Sequence, residues 1–369
     1  FKVQGFAKNH KIITYSSNYT LYADMSNRVM KIISEFGSHQ EIYSIDECFL
    51  NLTELKHIDL NDYGQRIRAR INRLLGLPVC VGFGASKTLA KIANHLAKKH
   101  LIYNGVCDLS IKEHDVLDAL FFKIQVKEVW GVGKRIEKKL VELGINTVLD
   151  LKRSSPRVLR KKFSVTMERT VRELNGESCI PLEEVTRPKK QLICSRGFGI
   201  PVFSLDELSE AITTYTTRVA EKLRYQKSVA TMVYVFIQTN PFKNKDQQYN
   251  SGRLISLMKP TNDTRELISA ALRGLKSIYK PGLAYKKAGV LLDNLLSSNQ
   301  YQKCLFDDIA SQKNSESLMQ AIDRINSKMG SGTIKFTGEG LQKRWSAKSE
   351  KKTQCYTTNI DEIPVAYCI

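Results

Sequence analysis

Between residues 190 and 297 the spacing of apolar residues switches period in a fixed order, and this constrains the fold more than any other feature. QLICSRGFG alternates as a strand does, and LDELSEAITTYTTRVAEKLRYQ has helical spacing. SVATMVYVFIQTN and SGRLISLMKP read as strands, DTRELISAALRGLKSIY as a helix and YKKAGVLLDNLL as a strand. Side chains repeat every two residues in a strand and about every 3.6 in a helix, so the pattern predicts the order βαββαβ. That order is the split βαβ arrangement of ferredoxin-like domains. Asp263 and Glu266 are spaced as a capping box for the second helix.

The preceding residues form a different layer structure. YTLYADMSNRVMKIISEFG reads as a helix ending near Gly37, and EIYSIDECFLNLT as strand. NDYGQRIRARINRLLG is a helix with Ile67, Ile71, Leu74 and Leu75 as its apolar positions. LPVCVGFGAS is a short buried strand, SKTLAKIANHLAKKH a helix and GVCDLS another strand. Strands alternating with helices predict a mixed α/β domain. Residues 111–177 turn helical and basic, with eight Lys or Arg between 152 and 173. CIPLEEVTRPKK reads as a linker. After 298 the chain is polar and, from Lys343 to Lys352, Lys-rich; partial disorder is expected.

Charge narrows the partner. The chain has 57 Lys and Arg against 37 Asp and Glu, a net +20, which points to a polyanion and most directly to nucleic acid. No apolar run approaches the roughly 18 residues of a membrane helix. The eight cysteines show neither CxxC nor zinc-type spacing, as in a reduced, cytoplasmic protein.

Three features carry candidate chemistry. Asp46 and Glu47 sit together inside the apolar run YSIDECF. Neighbours on a regular strand face opposite ways, so they can act together only at a strand end or turn, which FLNLT folding back would supply. Two hard oxygen donors in a basic protein suit Mg²⁺ with substrate phosphates. An exposed hairpin cap is the ordinary alternative for a bare Asp-Glu pair. On the helix from Lys87 to Lys98, Lys87, Lys91, Asn94 and Lys98 fall on one face, within about 60°. Leu89, Ile92, Ala93 and Leu96 fall on the other. The amine stripe has no acid within the helix, and GFGAS before it leaves N–H groups where anions bind. Lys98 could reach a triphosphate as a point charge. A solvated helix face is the alternative. In VWGVGKRIEKKL, read as helix, turn, helix, Gly131 and Gly133 permit a tight turn. Its N–H groups, with Lys134 and Arg135, can hold a DNA phosphate; a structural corner is the alternative.

Taken together, YSSNYTLYADMSNRV, IYSIDECF, GFGASKTLAKIANHLAKK, VWGVGKRIEKKL with GINTVLDL, ERTVRELNGE and ICSRGFG make the chain resemble the Y-family of translesion DNA polymerases, most closely its UmuC-type branch. The resemblance implies an α/β multidomain right hand: a palm with a mixed sheet, a helical thumb with a helix-hairpin-helix, and a ferredoxin-like βαββαβ little finger. Its boundaries would be the end of the fingers at 1–17, palm 18–109, thumb 110–178, linker 179–189, little finger 190–297 and C-terminal tail 298–369. It implies that Asp46 and Glu47 hold two Mg²⁺ ions, that Lys98 contacts the incoming dNTP, and that Gly131, Gly133, Lys134 and Arg135 grip primer-template DNA. Gln302, Leu305 and Phe306 in QKCLF resemble a sliding-clamp peptide, with Lys303 where the family prefers Leu. A UmuD′-type dimer and RecA are implied as partners. The family's first palm strand, with a metal-binding Asp and the aromatic that rejects ribonucleotides, has no match here, nor do most of its fingers. The chain starts at Phe1 and reads as N-terminally truncated, so this piece alone is expected to be inactive.

The leading expectation is error-prone translesion DNA synthesis in the SOS response. A non-catalytic DNA-binding or regulatory fragment of such a polymerase is the alternative, and a metal-dependent nuclease fits the acids and charge but not the ordered segments.

Overall fold

A computed structural model describes residues 3–55, 57–110, 114–183, 188–243, 247–299, 309–347 and 349–366. The chain divides into two compact units, residues 1–186 with 351–369, and residues 187–350.

The first unit opens with helices α1 (Val3–Asn9) and α2 (Tyr19–Ile33). The Asn18 side chain caps α2 by accepting from Leu21 N–H at 3.3 Å. A 3₁₀ turn, Ser34–Phe36, then leads to Gly37. Strands β1 (His39–Ile42) and β2 (Cys48–Asn51) pair antiparallel, Ile42 opposite Cys48, so residues 43–47 form the turn. Helix α3 (Leu60–Leu75) is capped by Asp59 and ended by Gly76 at φ +67°. It buries Ile67 and Ile71, whereas Leu74, expected inward, is 49% exposed. Its successor, β3 (Val81–Phe83), packs on α4 (Lys87–Lys99) so closely that a Cβ on Gly82 would lie 2.2 Å from the Asn94 nitrogen. Gly84 has the same constraint against Ala90. That close approach is the physical reason for the GFG run. β3 pairs parallel with β4 (Val106–Asp108). The mixed sheet of the expected palm is thus two separate two-stranded ladders among the described residues.

The basic stretch is helical: α5 (His114–Phe122), α6 (Lys134–Glu142), α7 (Val148–Arg153), α8 (Pro156–Lys162) and α9 (Val165–Leu174). Before Gly131 stands a single 3₁₀ turn, Val126–Glu128, rather than the full helix expected there. Thr147 and Asp150 close a capping box on α7, and Pro156 starts α8. One continuous core runs from α4 through these helices, with Ala93, Phe121, Leu140, Val148, Leu151 and Val171 fully buried.

The second unit has the element order expected from the sequence: β5 (Leu192–Val202), α10 (Leu205–Tyr225), β6 (Ser228–Thr239), β7 (Asn250–Thr261), α11 (Thr264–Ile278) and β8 (Tyr285–Ser297). The sheet order is β5-β8-β6-β7, all antiparallel, so each βαβ unit is split by a strand of the other. Val233, Val235, Ile237, Val290 and Leu292 bury one face in a core shared with α10 and α11. Asp263 caps α11 through Arg265 N–H, but Glu266 does not close the box and instead faces Lys259 at 3.8 Å.

The expectation of disorder after 298 fails for much of the tail. Helix α12 (Ile309–Met329) follows, with Met319 1% exposed. Its Asp323 takes a two-pronged bond from Arg224 at 2.6 and 2.7 Å. Trp345 is 4% exposed, against Phe198 and Tyr215 at 6.1 and 5.7 Å between ring centres. An isolated tryptophan in a Lys-rich run leaves no periodicity to read, yet its burial is worth more than the local polarity. Residues 351–366 belong to the first unit, where Asn18 binds them.

Candidate active site

The β1–β2 turn is closed by Tyr43 and Ser44 N–H groups, which both donate to the Glu47 carbonyl at 3.1 and 3.0 Å. Ser44 Oγ donates to Asp46 Oδ1 at 2.5 Å. Regular alternation is broken here, so the neighbours Asp46 and Glu47 both line one cleft of about 190 Å³. The cleft lies among α2, α3, α4, β2 and β3; Lys91 and Asn94 of α4 line it with apolar residues including Met30, Leu50, Ile67 and Val81. The Asn94 Oδ1 is buried with no hydrogen-bond partner among the described residues. Burial pushes the Cys48 thiol above its ordinary range.

The amine stripe of α4 is neutralised in part from outside the helix. Lys87 pairs with Glu41 of β1, and Lys91 Nζ lies 2.6 Å from Glu47 Oε1. The start of α4 does hold an anion, but it is the protein's own. The Glu173 carboxylate accepts from Thr88 N–H at 2.9 Å and Thr88 Oγ1 at 2.6 Å, while Ser86 caps Leu89. This corrects the expectation of an open anion site there. Of the stripe's lysines Lys87, Lys91 and Lys98, the last keeps an exposed amine with no ion pair among the described residues. It stands seven residues beyond Lys91, about 10 Å along the axis, and does not line the cleft.

The Gly-x-Gly segment is joined to the carboxylate hairpin by a residue that sequence reasoning passed over. Trp130 Nε1 donates to the Tyr43 hydroxyl at 3.1 Å. Its ring stands 5.5 Å from Tyr43 and 5.7 Å from Phe49. Gly131 follows at φ +87°, a left-handed turn conformation that favours glycine. Gly133 starts α6 with no side-chain cap, so its first N–H groups stay available. Lys134 and Arg135 are exposed beside them. The residues Gln302, Leu305 and Phe306 lie outside the described residues.

Asp46 and Glu47 fit a hard divalent ion as an open half-site. Two carboxylates on one turn leave the remaining positions to water and phosphate oxygens, which is how Mg²⁺ is usually held. Among the described residues no three His, Cys, Asp or Glu side chains converge on such a site.

Comparison with known proteins adds lineage to this geometry. Residues 3–95 match the family described as impB/mucB/samB, and residues 189–305 match the C-terminal domain of the same family. Residues 316–366 match a domain of unknown function. Protein UmuC of Salmonella typhimurium is 43% identical over 98% of this chain and 86% of its own length. Protein SamB of Salmonella typhimurium is 42% identical over 96% and 84%. DNA polymerase IV of Clostridium acetobutylicum is 26% identical over 88% and 78%. Among solved structures, a Y-family DNA polymerase chimera of Dbh and Dpo4 superposes with a TM-score of 0.58 at 19% identity, covering 76% of this chain and 77% of that one. Among the described residues no helix is long and apolar enough to cross a membrane.

Proposed function

The chain belongs to the impB/mucB/samB family of Y-family DNA polymerases, its UmuC-type branch, and from that premise we propose that Asp46 and Glu47 are the carboxylates that hold its catalytic metal ions. The protein is a DNA-directed DNA polymerase of the error-prone translesion class that acts in SOS mutagenesis, with primer-template DNA and dNTPs as substrates. The family is metal-dependent; we assign two Mg²⁺ ions. When bound, they stabilise the attacking primer 3′-oxygen and the leaving pyrophosphate in an in-line displacement at the α-phosphate.

The chain's own residues do the remaining work. Asp46 and Glu47 orient the ions; Ser44 fixes one carboxylate and Lys91 the other. Lys98 attracts the triphosphate. The Gly131–Gly133 turn, with Lys134 and Arg135, grips the duplex backbone without reading sequence. Gln302, Leu305 and Phe306 dock on a sliding clamp, weakened by Lys303, and a UmuD′-type dimer and RecA assist in the cytoplasm.

The observation that supports the assignment most is that two adjacent acids line one cleft, beside a lysine of α4. Primer extension past an abasic site tests it. In the full-length gene product, Asp46→Ala should lower Mg²⁺-dependent extension by about a thousandfold or more while DNA binding persists. Normal extension by that variant would remove Asp46 from the catalytic set.

A further inference from the structure

Lys87 and Lys91 lie one helical turn apart on α4, and each binds a glutamate of the same hairpin. The outer pair, Lys91–Glu47, sits at the candidate metal site. The inner pair, Glu41–Lys87, is 11% and 8% exposed and makes no hydrogen bond or ion pair to Asp46 or Glu47. What it touches instead is the segment that leads out of the first unit. Glu41 Oε2 also accepts from Glu183 N–H at 2.7 Å, and Lys87 Nζ also donates to the Pro181 carbonyl at 2.9 Å. The ammonium further lies 5.0 Å from the centre of the Phe49 ring, and Phe49 stands opposite Glu41 in the ladder. A second buried acid repeats the pattern one step away: Glu173, 0% exposed, takes Thr88 with one oxygen and the N–H groups of Cys179 and Ile180 with the other.

We propose that Glu41 and Lys87 are a positioning pair: they lock the Asp46–Glu47 hairpin and the segment 181–183 onto the start of α4, and so set the rate of nucleotide transfer without touching nucleotide, metal or DNA. The inference rests on the polymerase reading for its effect on rate. A buried ion pair is rarely a net source of stability, because desolvating both charges offsets most of their attraction. Its use here is geometric. The pair is one ladder rung from the turn, Ile42 with Cys48 standing between. With one end of α4 bolted to both the hairpin and the exit segment, Asp46, Glu47 and Lys98 keep a fixed spacing. Catalysis is sensitive to this, since a displacement near 1 Å can cost about 100-fold in rate.

The test uses the full-length gene product with primer-template, comparing wild type, Glu41→Gln, and the apolar pair Glu41→Leu with Lys87→Met. Three quantities are read: the single-turnover rate of nucleotide incorporation, the apparent dNTP affinity, and deuterium uptake by residues 179–183. Glu41→Gln should slow incorporation about tenfold or more, leave dNTP affinity within about twofold, and raise uptake at 179–183 but not in α4. The apolar pair should regain the wild-type melting temperature yet stay slow, because it cannot hold Glu183 N–H or the Pro181 carbonyl. Recovery of the rate by the apolar pair would make the interaction merely structural and overturn the proposal, as would an unchanged rate in Glu41→Gln. If wild type extends no primer, the polymerase reading fails instead. Uptake at 179–183 then decides alone: a rise in Glu41→Gln upholds the lock, and no change overturns it.

Discussion

Lys91 Nζ and Glu47 Oε1 stand 2.6 Å apart, so one of the two candidate metal-binding carboxylates is held by a lysine of the neighbouring helix. The lysine also lies 5.7 Å from the Tyr43 ring centre. A cation placed there competes with a divalent ion for the same oxygen. Lys91→Met should therefore tighten Mn²⁺ binding about tenfold in the absence of nucleotide, equivalent to about 1.4 kcal/mol. Titration followed by electron paramagnetic resonance reads it directly. Unchanged affinity would mean that Glu47 does not ligate the ion.

Trp130 couples the carboxylate hairpin to the Gly131 turn through one hydrogen bond and two ring contacts. Trp130→Phe keeps most of the ring contact and loses the bond, for about 1 kcal/mol. Trp130→Ala loses both and should cost about 2 kcal/mol. Because Trp130 and Trp345 are the chain's two tryptophans and lie in different units, Trp130→Phe also leaves an emission signal from the second unit alone. Chemical denaturation of that variant, followed by far-UV dichroism and by fluorescence, should give two different midpoints if the units unfold separately. Coincident midpoints would count against separate unfolding.

How far the sequence could be read depended on whether a feature was local. The βαββαβ unit was legible because its core positions repeat along each element, as Val233, Val235 and Ile237 do. The turn at Asp46 was legible because two adjacent acids cannot share a face of a regular strand. The pairing of Lys87 and Lys91 was not, since their acids lie 46 and 44 residues away. Nothing in the spacing of α4 announces Glu173, 85 residues on, at its first turn. Trp345 was missed for the converse reason: its neighbours in sequence are polar, and its partners come from β5 and α10.

Acid should loosen the α5–α7 contact. The hydrogen bond from Lys152, 2.6 Å from Asp118, and the Arg153 guanidinium hold the Asp118 carboxyl below its ordinary value. The folded state thus binds this proton less readily than the unfolded chain does. Its contribution to stability is whole above the ordinary aspartate value near 4 and is lost as pH falls through the lower, folded value. The melting temperature reported by Trp130 emission should be insensitive to this group from pH 7 to about 5 and fall below about 4. Asp118→Asn should lower it by a few degrees at pH 7, because Lys152 is buried and left unpaired, and the difference from wild type should shrink in acid. A constant difference across that range would sever Asp118 from the acid sensitivity.

One buried side chain ties the tail beyond residue 350 to the start of α2. Asn18 is 0% exposed; its Nδ2 donates to the Thr353 and Gln354 carbonyls at 3.0 and 3.2 Å while its Oδ1 caps α2. Ser16 N–H adds a bond to the Lys351 carbonyl at 2.9 Å. Asn18→Ala should cost about 2 kcal/mol locally and speed proteolysis between 351 and 366 several-fold, with the core of the second unit unaffected. Mass spectrometry of the early fragments distinguishes this from global unfolding, which would cut both units together.

The grip on DNA proposed for the Gly131–Gly133 turn is measurable as a salt dependence. Each phosphate neutralised by a basic side chain contributes about 0.9 to the slope of log K against log salt. Lys134 and Arg135 are both exposed at the start of α6, where the uncapped N–H groups add their partial charge. Replacing both by Ala should weaken duplex binding at about 0.1 M salt by roughly tenfold and lower the slope by about 1.8, with no change in sequence preference, since phosphate contacts carry none. Fluorescence anisotropy with two unrelated duplexes supplies all three quantities. A weakened affinity with an unchanged slope would assign the loss to distortion of the turn, and the phosphate contacts would then have to come from other basic residues of the first unit, such as Arg157 and Lys161 on α8.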